Sequence, residues 1–442
     1  MENGIGPAGA ERSRVFWVGV LALFTAGLSA ALRAAIATDL KTEYLDPVDL
    51  ARSATLIGEA LGAAFLAFSL MLAVTSTLLD RIGMKPMLLF ASAGFVVATA
   101  LIAGCGLLAH GAGVYPVIFA GMFVNGLAWG AVEGTVNPMI ASLYPEDTTH
   151  RMNVLHAWWP AGLIVGGLLG VFGAQAGFDW RAILAVVPVV AVVFGALALR
   201  RDFPVTTSVA LGVATVDQFK EVLRRPSFLV WFGLMLFTAA SELAPGQWVD
   251  VALTNVVGMR GVLLLVYVAG IQFVGRHFAG PLAHRLSAEG LLCGSCVLAA
   301  VGLFGLGMAN SPPTAILAAT AWGLGVCYLW PTMVATAAER YPRGGALTVG
   351  LMGVAGSLST YFVLPLLGSI YDDAKLSRAG GAEALAAMTP EQLKPVLVFA
   401  AGQSFKAVSL IPALLVVAFA VLWLSRRRRA SHGAAGEAPS AL

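Results

Sequence analysis

Charged residues are scarce in this sequence. Only 12% of its 442 residues are Asp, Glu, Lys or Arg, whereas 58% are hydrophobic. A typical soluble domain carries about 25% charged residues, most of them on its surface. The composition therefore excludes an ordinary soluble protein and predicts a polytopic membrane protein.

The residue patterns of several common chemistries are also missing from the sequence. No GxxxxGK[ST] loop occurs, which argues against transport driven directly by ATP. We find no cluster of metal ligands and no pairing of nucleophile with base, so the sequence predicts neither a cofactor nor an enzyme. The four cysteines lie in apolar segments. Cys293 and Cys296 form a CxxC motif, which we interpret as two small packing residues.

Long apolar segments make up most of the chain. A helix needs about 20 apolar residues to cross a bilayer, and twelve segments approach or exceed this length. They are 14–38, 51–78, 86–109, 113–141, 152–176, 180–200, 227–256, 260–280, 288–309, 313–338, 344–370 and 395–424. The predicted fold class is an all-α membrane protein with twelve transmembrane helices.

A short repeat relates the two parts of the chain. Ala-Trp-Gly occurs at 128–130 and again at 321–323, and a proline, Pro138 or Pro331, follows each copy eight residues later. We interpret both copies as helices that are broken at the proline. Such a duplication predicts two pseudo-symmetric six-helix bundles. Secondary transporters place one substrate site at the bilayer midplane between bundles of this kind.

Charged segments set the expected domain boundaries. We predict an N-terminal bundle, a linker, a C-terminal bundle and a tail, at 1–200, 201–226, 227–424 and 425–442. Residues 217–225 of the linker are expected to form a short surface helix. The tail is expected to be disordered from Ala430 onward, because it is small and polar there.

The distribution of Lys and Arg indicates the orientation in the membrane. With the N-terminus inside, 17 of these 27 residues lie on the cytoplasmic side and 7 lie outside. The positive-inside rule then places both termini in the cytoplasm of a cell membrane. An Arg run at 426–429 follows the last span directly. We interpret this run as a contact with anionic lipid headgroups rather than with nucleic acid.

A charged loop follows the second span, where residues 80–85 read Asp-Arg-Ile-Gly-Met-Lys. This loop resembles the signature of the major facilitator superfamily, although Ser76 stands where that signature begins with glycine. In that family the Asp and Arg help to hold one closed state, which would make Asp80 and Arg81 gating residues. The corresponding loop of the second half is a weaker match and contributes Arg285 as a third candidate.

Four further segments, in predicted helices 4, 5, 7 and 10, are similar to the fucose–galactose–glucose:proton symporter family. They are 132–138, 153–158, 242–248 and 330–332. The resemblance implies uptake of a hexose together with a proton. By motif position it also implies that Glu133 is the carboxylate of helix 4 that takes part in coupling. A carboxylate inside a bilayer must face a cavity or a partner, or be protonated, which suits that role.

Helix 1 departs from this family. Its members carry an acidic residue inside the helix, whereas this chain has Arg33 there. We expect Arg33 either to neutralise Glu59 or Glu133, or to bind an anionic substrate with its planar guanidinium group. A sugar acid or another organic anion therefore stands beside a neutral hexose as a candidate substrate.

Polar and aromatic residues inside the spans are the candidates for substrate contact. A sugar needs planar polar groups for its hydroxyls and aromatic faces for its apolar side. Helix 7 is expected to break at Pro245 and Gly246, beside Gln247 and Trp248, and a broken helix exposes backbone groups to a ligand. The remaining substrate-binding candidates are Arg33, Asn137, Asn153, His156, Gln272 and Trp330.

Together these features predict a secondary active transporter that takes up a small polar solute, preferably a hexose, by proton symport and alternating access. Organic-anion transport, facilitated diffusion and export are the alternatives. A membrane sensor with the same fold would need a larger cytoplasmic output segment than the linker and tail provide. The expected partners are the solute, a proton and the lipid bilayer, and the protein is expected to be a monomer.

Overall fold

Helices form every regular element in the part of the chain that the computed structural model describes, which is residues 9–144, 148–205, 222, 224–276, 286–341 and 345–436. Eleven helices in this part are long and apolar enough to cross a membrane, and a twelfth, Val262–Arg276, is apolar but shorter. The expected all-α fold is confirmed. The chain is a multi-pass membrane protein.

The N-terminal half contains six principal helices, two of them interrupted. They are α1 (Gly9–Ala35), α2 (Ser53–Ile82), α3 (Met84–Ala103), α4 (Val114–Leu143), α5 (Thr148–His156 and Trp158–Gln175) and α6 (Trp180–Leu184 and Val186–Leu199). Short helical turns connect α1 to α2 and α3 to α4. These turns are Ala37–Leu40, Lys41–Leu45, Asp46–Asp49, Cys105–Leu108 and Gly111–Gly113.

Six further principal helices form the C-terminal half. They are α7 (Pro226–Val257), α8 (Val262–Arg276), α9 (Ala288–Leu306), α10 (Pro312–Val326 and Leu329–Arg340), α11 (Gly345–Ala379) and α12 (Pro390–Gly436). A short helix, Ala382–Ala386, lies between α11 and α12.

The principal helices alternate in direction, so their connections fall at two ends of the molecule. We call the end where α6 ends and α7 begins the linker end, and the opposite end, with the turns between α1 and α2, the distal end. Ion pairs join separate helices at the linker end. Arg201 lies 3.3 Å from Glu11 there, and Arg426 lies 2.8 Å from Glu289. Each pair lies within one half of the molecule.

Glycines bring helix backbones into direct contact in both halves. A Cβ atom at Gly162 of α5 would lie 2.4 Å from the carbonyl oxygen of Phe24 in α1. One at Gly302 of α9 would lie 2.1 Å from the backbone nitrogen of Trp322 in α10. No larger residue fits at these positions without moving a helix, because the interior is already close-packed. Small residues at helix interfaces are typical of membrane proteins.

The expectation that helices break at their prolines is wrong for two of them. The helix α4 continues through Pro138, and α7 continues through Pro245. The helix α10 is interrupted at Cys327 and Tyr328, as expected for that copy of the repeat. Pro331 lies in the first turn of the piece that follows, where its missing N–H would have no helical partner in any case.

A tryptophan from a neighbouring helix explains why α7 does not break. Pro245 cannot donate a hydrogen bond to the carbonyl of Ser241, four residues earlier. The indole Nε1–H of Trp322 in α10 donates to that carbonyl instead, at 3.1 Å. The hydrogen bond that proline removes is therefore replaced from outside the helix, which allows the helix to continue.

The last helix is longer than expected. The helix α12 reaches Gly436, so the part of the expected tail between 425 and 436 is helical. Arg426 is anchored by its ion pair with Glu289, and both Arg and Ala favour helix, which explains the continuation. The expected surface helix at 217–225 lies almost entirely outside the described residues.

Candidate functional site

Polar contacts between the two halves run from the middle of the molecule to its distal end. Midway, the hydroxyl of Ser69 in α2 donates to the hydroxyl of Ser357 in α11 at 2.8 Å. Nearer the distal end, the backbone N–H and the hydroxyl of Thr55 donate to the Asp372 carboxylate at 2.7 and 2.8 Å. These contacts form a seam between α2 and α11.

A cluster of four residues closes the distal end between the halves, and we call it the distal latch: Thr38, Asp39, Asp250 and Arg260. The Thr38 hydroxyl donates to Asp250 at 2.8 Å. The Arg260 guanidinium lies 3.3 Å from Asp250 and 3.6 Å from Asp39. Asp250 is fully buried and also accepts a hydrogen bond from the Thr254 hydroxyl at 2.9 Å. The latch joins the turn after α1 to the start of α8.

Asp39 is the more exposed of the two acids in the latch, since 39% of its side chain is accessible, compared with none for Asp250. Burial raises the pKa of Asp39, and the charge of Arg260 only partly offsets that effect. Asp39 therefore gives up its proton less readily than an ordinary aspartic acid. Asp250 contributes more than Asp39 to the stability of the latch, because it makes more contacts and is shielded from water.

Arg33 lies between the two halves in the last turn of α1, one to two turns before the distal latch. One turn earlier, Ser29 accepts a hydrogen bond from the side chain of Asn125 in α4 at 2.7 Å. The neighbouring Ala30 carbonyl accepts from Nε2 of Gln247 in α7 at 3.4 Å. Residues three and four apart share one helix face. Arg33 therefore lies on the face of α1 that points to α4 in its own half and to α7 in the other half.

The environment of Arg33 is unusual for a charged side chain. Only 1% of the residue is exposed. None of its three guanidinium nitrogens has a hydrogen-bond partner among the described residues. The expected ion pair with Glu59 or Glu133 does not form in this conformation; Glu59 instead accepts a hydrogen bond from the Tyr115 hydroxyl at 2.6 Å.

Three of the predicted residues come together where α4 meets the first piece of α5. Glu133 and Asn137 are four residues apart on α4 and share a face. The Asn137 side-chain oxygen lies 2.8 Å from Nε2 of His156. Glu133 is half-buried and makes no hydrogen bond or ion pair with any described residue. The backbone of Asn153 lies in this piece of α5, but its side chain is outside the described set.

An aromatic stack that the sequence did not predict extends this face of α4. Trp129 lies one turn before Glu133, and its ring stacks on Trp159 of α5 with centroids 4.8 Å apart and planes 16° apart. The Nε1–H of Trp129 is buried and has no partner among the described residues. The signal for this residue was in the sequence, because Trp129 is the tryptophan of the first Ala-Trp-Gly copy.

A second polar cluster lies in the C-terminal half. Glu242 of α7 accepts a hydrogen bond from Nε2 of Gln272 at 2.8 Å and pairs with Arg276 at 3.3 Å. Arg276 also donates to the carbonyl of Cys327 at the interruption of α10, at 3.3 Å. The second oxygen of Glu242 is buried without a partner in the described structure. Trp330, half-buried, packs against α11 two residues beyond the interruption.

Gln247 and Trp248 are separated by the fold although they are neighbours in sequence. Gln247 reaches the interface with α1, and its Oε1 is buried without a partner in the described part of the chain. Trp248 is fully buried inside the C-terminal half, where its Nε1–H donates to the Ser404 hydroxyl at 3.2 Å. The interpretation of Trp248 as a substrate platform is therefore wrong for this conformation, since consecutive residues of an unbroken helix point to different sides.

The candidate gating residues lie far from these clusters. Asp80 and Arg81 are exposed at the linker end of α2. Arg285 is outside the described residues. Lys85, in the same loop signature, lies 3.7 Å from Asp202 at the start of the segment between the halves.

Comparisons with known proteins agree with this architecture. The sequence model of the Major Facilitator Superfamily matches residues 15–364. No curated protein sequence matches the chain. Among solved structures, a D-xylose–proton symporter is similar with a TM-score of 0.71 at 18% identity, over 91% of this chain and 97% of that one.

Two other solved structures show how widely this fold is shared. A bacterial homologue of the human lysosomal transporter Spinster, inward-facing and unoccupied, has a TM-score of 0.69 at 15% identity, over 96% of this chain and 98% of that one. A human organic anion transporter has a TM-score of 0.61 at 14% identity, over 92% and 99%. At such identities the similarity shows the fold alone.

Proposed function

Because the chain belongs to the major facilitator superfamily, we propose that it is a secondary transporter whose halves open one central site alternately to the two sides of the membrane. The solute is small and polar, of about the size of a hexose, and a proton moves with it. The linker end and both termini face the cytoplasm of the cell membrane. One chain supplies both halves of the site, so the monomer is the transporting unit.

Buried polar atoms without partners carry this proposal. Among the described residues they include the guanidinium of Arg33, Nε1 of Trp129, Oε2 of Glu242 and Oε1 of Gln247. The first two belong to the N-terminal half and the other two to the C-terminal half. Each buried polar group left unpaired costs about 1–3 kcal/mol. A polar solute between the halves would supply the missing partners to both of them at once.

The N-terminal half offers groups suited to a hydroxylated ring. The half-buried ring of Trp159 stacks on Trp129, which is buried and also lies against Phe68. The Nε1–H of Trp129 has no partner among the described residues. Asn137, two turns further along α4, and His156 of α5 add an amide and an imidazole. Planar polar groups beside an aromatic face match the two sides of a sugar ring.

We assign proton coupling to Glu133. Its carboxylate is half-buried and lacks a partner of its own in the described structure. A carboxyl group inside a span can bind a proton while it is open to one side of the membrane and release that proton while it is open to the other. Alternate exposure to the two sides would therefore load and release one proton with each cycle.

Uptake into proteoliposomes tests the proposal. The purified protein should accumulate a labelled hexose or hexonate when a pH gradient is imposed. The substitution Glu133→Gln should abolish accumulation but preserve exchange of labelled for unlabelled solute, because exchange needs no net proton movement. The matched control is Glu59→Gln. Glu59 also lies in a span but already has a partner in Tyr115, and a glutamine can keep that hydrogen bond.

Each outcome of this experiment is informative. Equal pH-driven accumulation by Glu133→Gln would reject the coupling role of Glu133. Exchange without pH-driven accumulation in the unmodified protein would indicate facilitated diffusion. The absence of exchange for every small polar solute tested would contradict the transport proposal itself.

A further inference from the structure

Arg33 is a fixed positive charge to which no described residue supplies a negative counter-charge. A guanidinium group keeps its proton under all ordinary conditions. Taking such a charge out of water is costly unless a counter-charge and hydrogen bonds accompany it. Arg33 is 1% exposed, and its three nitrogens have no partner among the described residues. Something other than the described side chains must therefore complete this site.

The acidic residues of neighbouring helices are engaged elsewhere. Glu242 of α7 pairs with Arg276, and Asp250 of the same helix pairs with Arg260. Glu59 of α2 accepts from Tyr115. Glu133 of α4 has no partner within the described ranges, and it does not contact Arg33.

The geometry points to an anionic solute: we propose that Arg33 binds the carboxylate of a hydroxylated monocarboxylate, such as a hexonate, and that this class is the preferred substrate. The inference rests on the proposed transport function and narrows its solute. A guanidinium group binds a carboxylate through two parallel hydrogen bonds, which a neutral sugar cannot reproduce.

Gln247 supplies the second half of the site. Its Nε2 donates to the Ala30 carbonyl, three residues before Arg33 on α1, and its Oε1 is buried with no partner in the part of the chain that the structure describes. An amide oxygen in that position is a good acceptor for a solute hydroxyl. The solute carboxylate would then bind Arg33 of the N-terminal half, and a solute hydroxyl would bind Gln247 of the C-terminal half. A solute that bridges the halves in this way is bound only when both approach it.

Binding to the full-length protein in detergent tests the inference without any variant. Gluconate and galactonate should bind at least about tenfold more tightly than glucose and galactose, because the paired hydrogen bonds to a buried guanidinium form only with the acids. Equal or tighter binding of the neutral sugars would overturn the proposal. Failure of every hexonate to bind would overturn it as well.

Variants of Arg33 then separate recognition from folding. Arg33→Gln should weaken hexonate binding about tenfold or more and leave hexose binding nearly unchanged, and Arg33→Lys should lose part of the affinity, because lysine lacks the planar fork. In the absence of solute, Arg33→Met should raise the melting temperature, because it removes an unpaired buried charge. Arg378→Gln, at an exposed arginine of the distal end, is the control and should change neither property.

The results distinguish this inference from the proposed function. Proton-driven uptake of hexoses in preference to hexonates would leave the transporter standing and remove the anion site. A lower melting temperature in Arg33→Met, together with unchanged hexonate binding in Arg33→Gln, would show that Arg33 has a structural role instead. If neither class of solute exchanges across the membrane, both proposals fail together.

Discussion

The two copies of Ala-Trp-Gly occupy comparable places in the two halves but use their tryptophans differently. In the C-terminal half, Trp322 donates its indole N–H to the carbonyl that Pro245 leaves free in α7. In the N-terminal half, Trp129 stacks on Trp159, and its N–H has no partner among the described residues. The tryptophan of one copy replaces a hydrogen bond that is missing from a neighbouring helix. The tryptophan of the other copy has an N–H donor without a partner in the described structure.

The difference has a simple origin in the sequence. Helix α7 contains Pro245, whereas α1 contains no proline. Every backbone carbonyl in the middle of α1 therefore keeps its own helical partner, and nothing in α1 requires the donor that Trp129 offers. A duplicated motif can thus become structural in one half and available for a solute in the other, depending on one residue of a neighbouring helix.

The largest effect in this comparison is expected for Trp322→Phe. The substitution leaves the Ser241 carbonyl buried without a donor, which should destabilise the protein by about 1–3 kcal/mol. Thermal unfolding in detergent would show a lower melting temperature. Pro245→Ala provides the control, since alanine restores a backbone N–H for Ser241. In that background Trp322→Phe should cost less, and an undiminished cost would mean that the hydrogen bond is not the cause.

The second effect concerns the other copy of the repeat. Trp129→Phe keeps an aromatic ring against Trp159 and removes a donor that has no partner among the described residues. It should therefore destabilise the protein less than Trp322→Phe, through the loss of packing alone. Affinity for the transported solute should fall about 3- to 10-fold, because one hydrogen bond to the solute is lost. Equilibrium binding measures this change. Unchanged affinity would show that Trp129 serves packing only and does not contact the solute.

The two acids of the distal latch should also differ from each other. Asp250→Asn removes a fully buried charge that pairs with Arg260 in its own half and binds Thr38 of the other half, and the melting temperature should fall. Asp39→Asn should have the smallest effect of the series. If the two variants are equally unstable, the latch does not depend chiefly on Asp250.

Asp39→Asn should change the pH dependence of stability in a predictable direction. Burial raises the pKa of Asp39 in the folded protein, so folding favours its protonated form. The corresponding stability is present at low pH and is lost as the pH rises through the raised pKa. Asp39→Asn should therefore show a smaller loss of stability over that interval than the unmodified protein. Unfolding curves recorded from acid to neutral pH would reveal the difference, and a steeper loss in the variant would contradict this sign.

The sequence predicted some parts of the candidate site better than others. Asn137 and His156 were selected as polar residues in apolar spans, and the structure brings their side chains together. Arg33 was recognised as unusual for the same reason. The prediction that Trp248 contacts the solute is wrong for this conformation, because Trp248 is buried against Ser404. That residue lies on another helix, 156 residues away. No local pattern around Trp248 reports that contact.

The sequence by itself determined the number and the apolar character of the spans. These are local properties, because a helix in lipid must satisfy its own backbone and present apolar side chains along its whole length. The tertiary structure decided which polar groups remain unpaired. Whether α7 breaks at Pro245 depends on an indole 81 residues beyond Ser241, and whether Arg33 has a counter-charge depends on side chains from several helices. Such partners are assigned only when distant helices pack together.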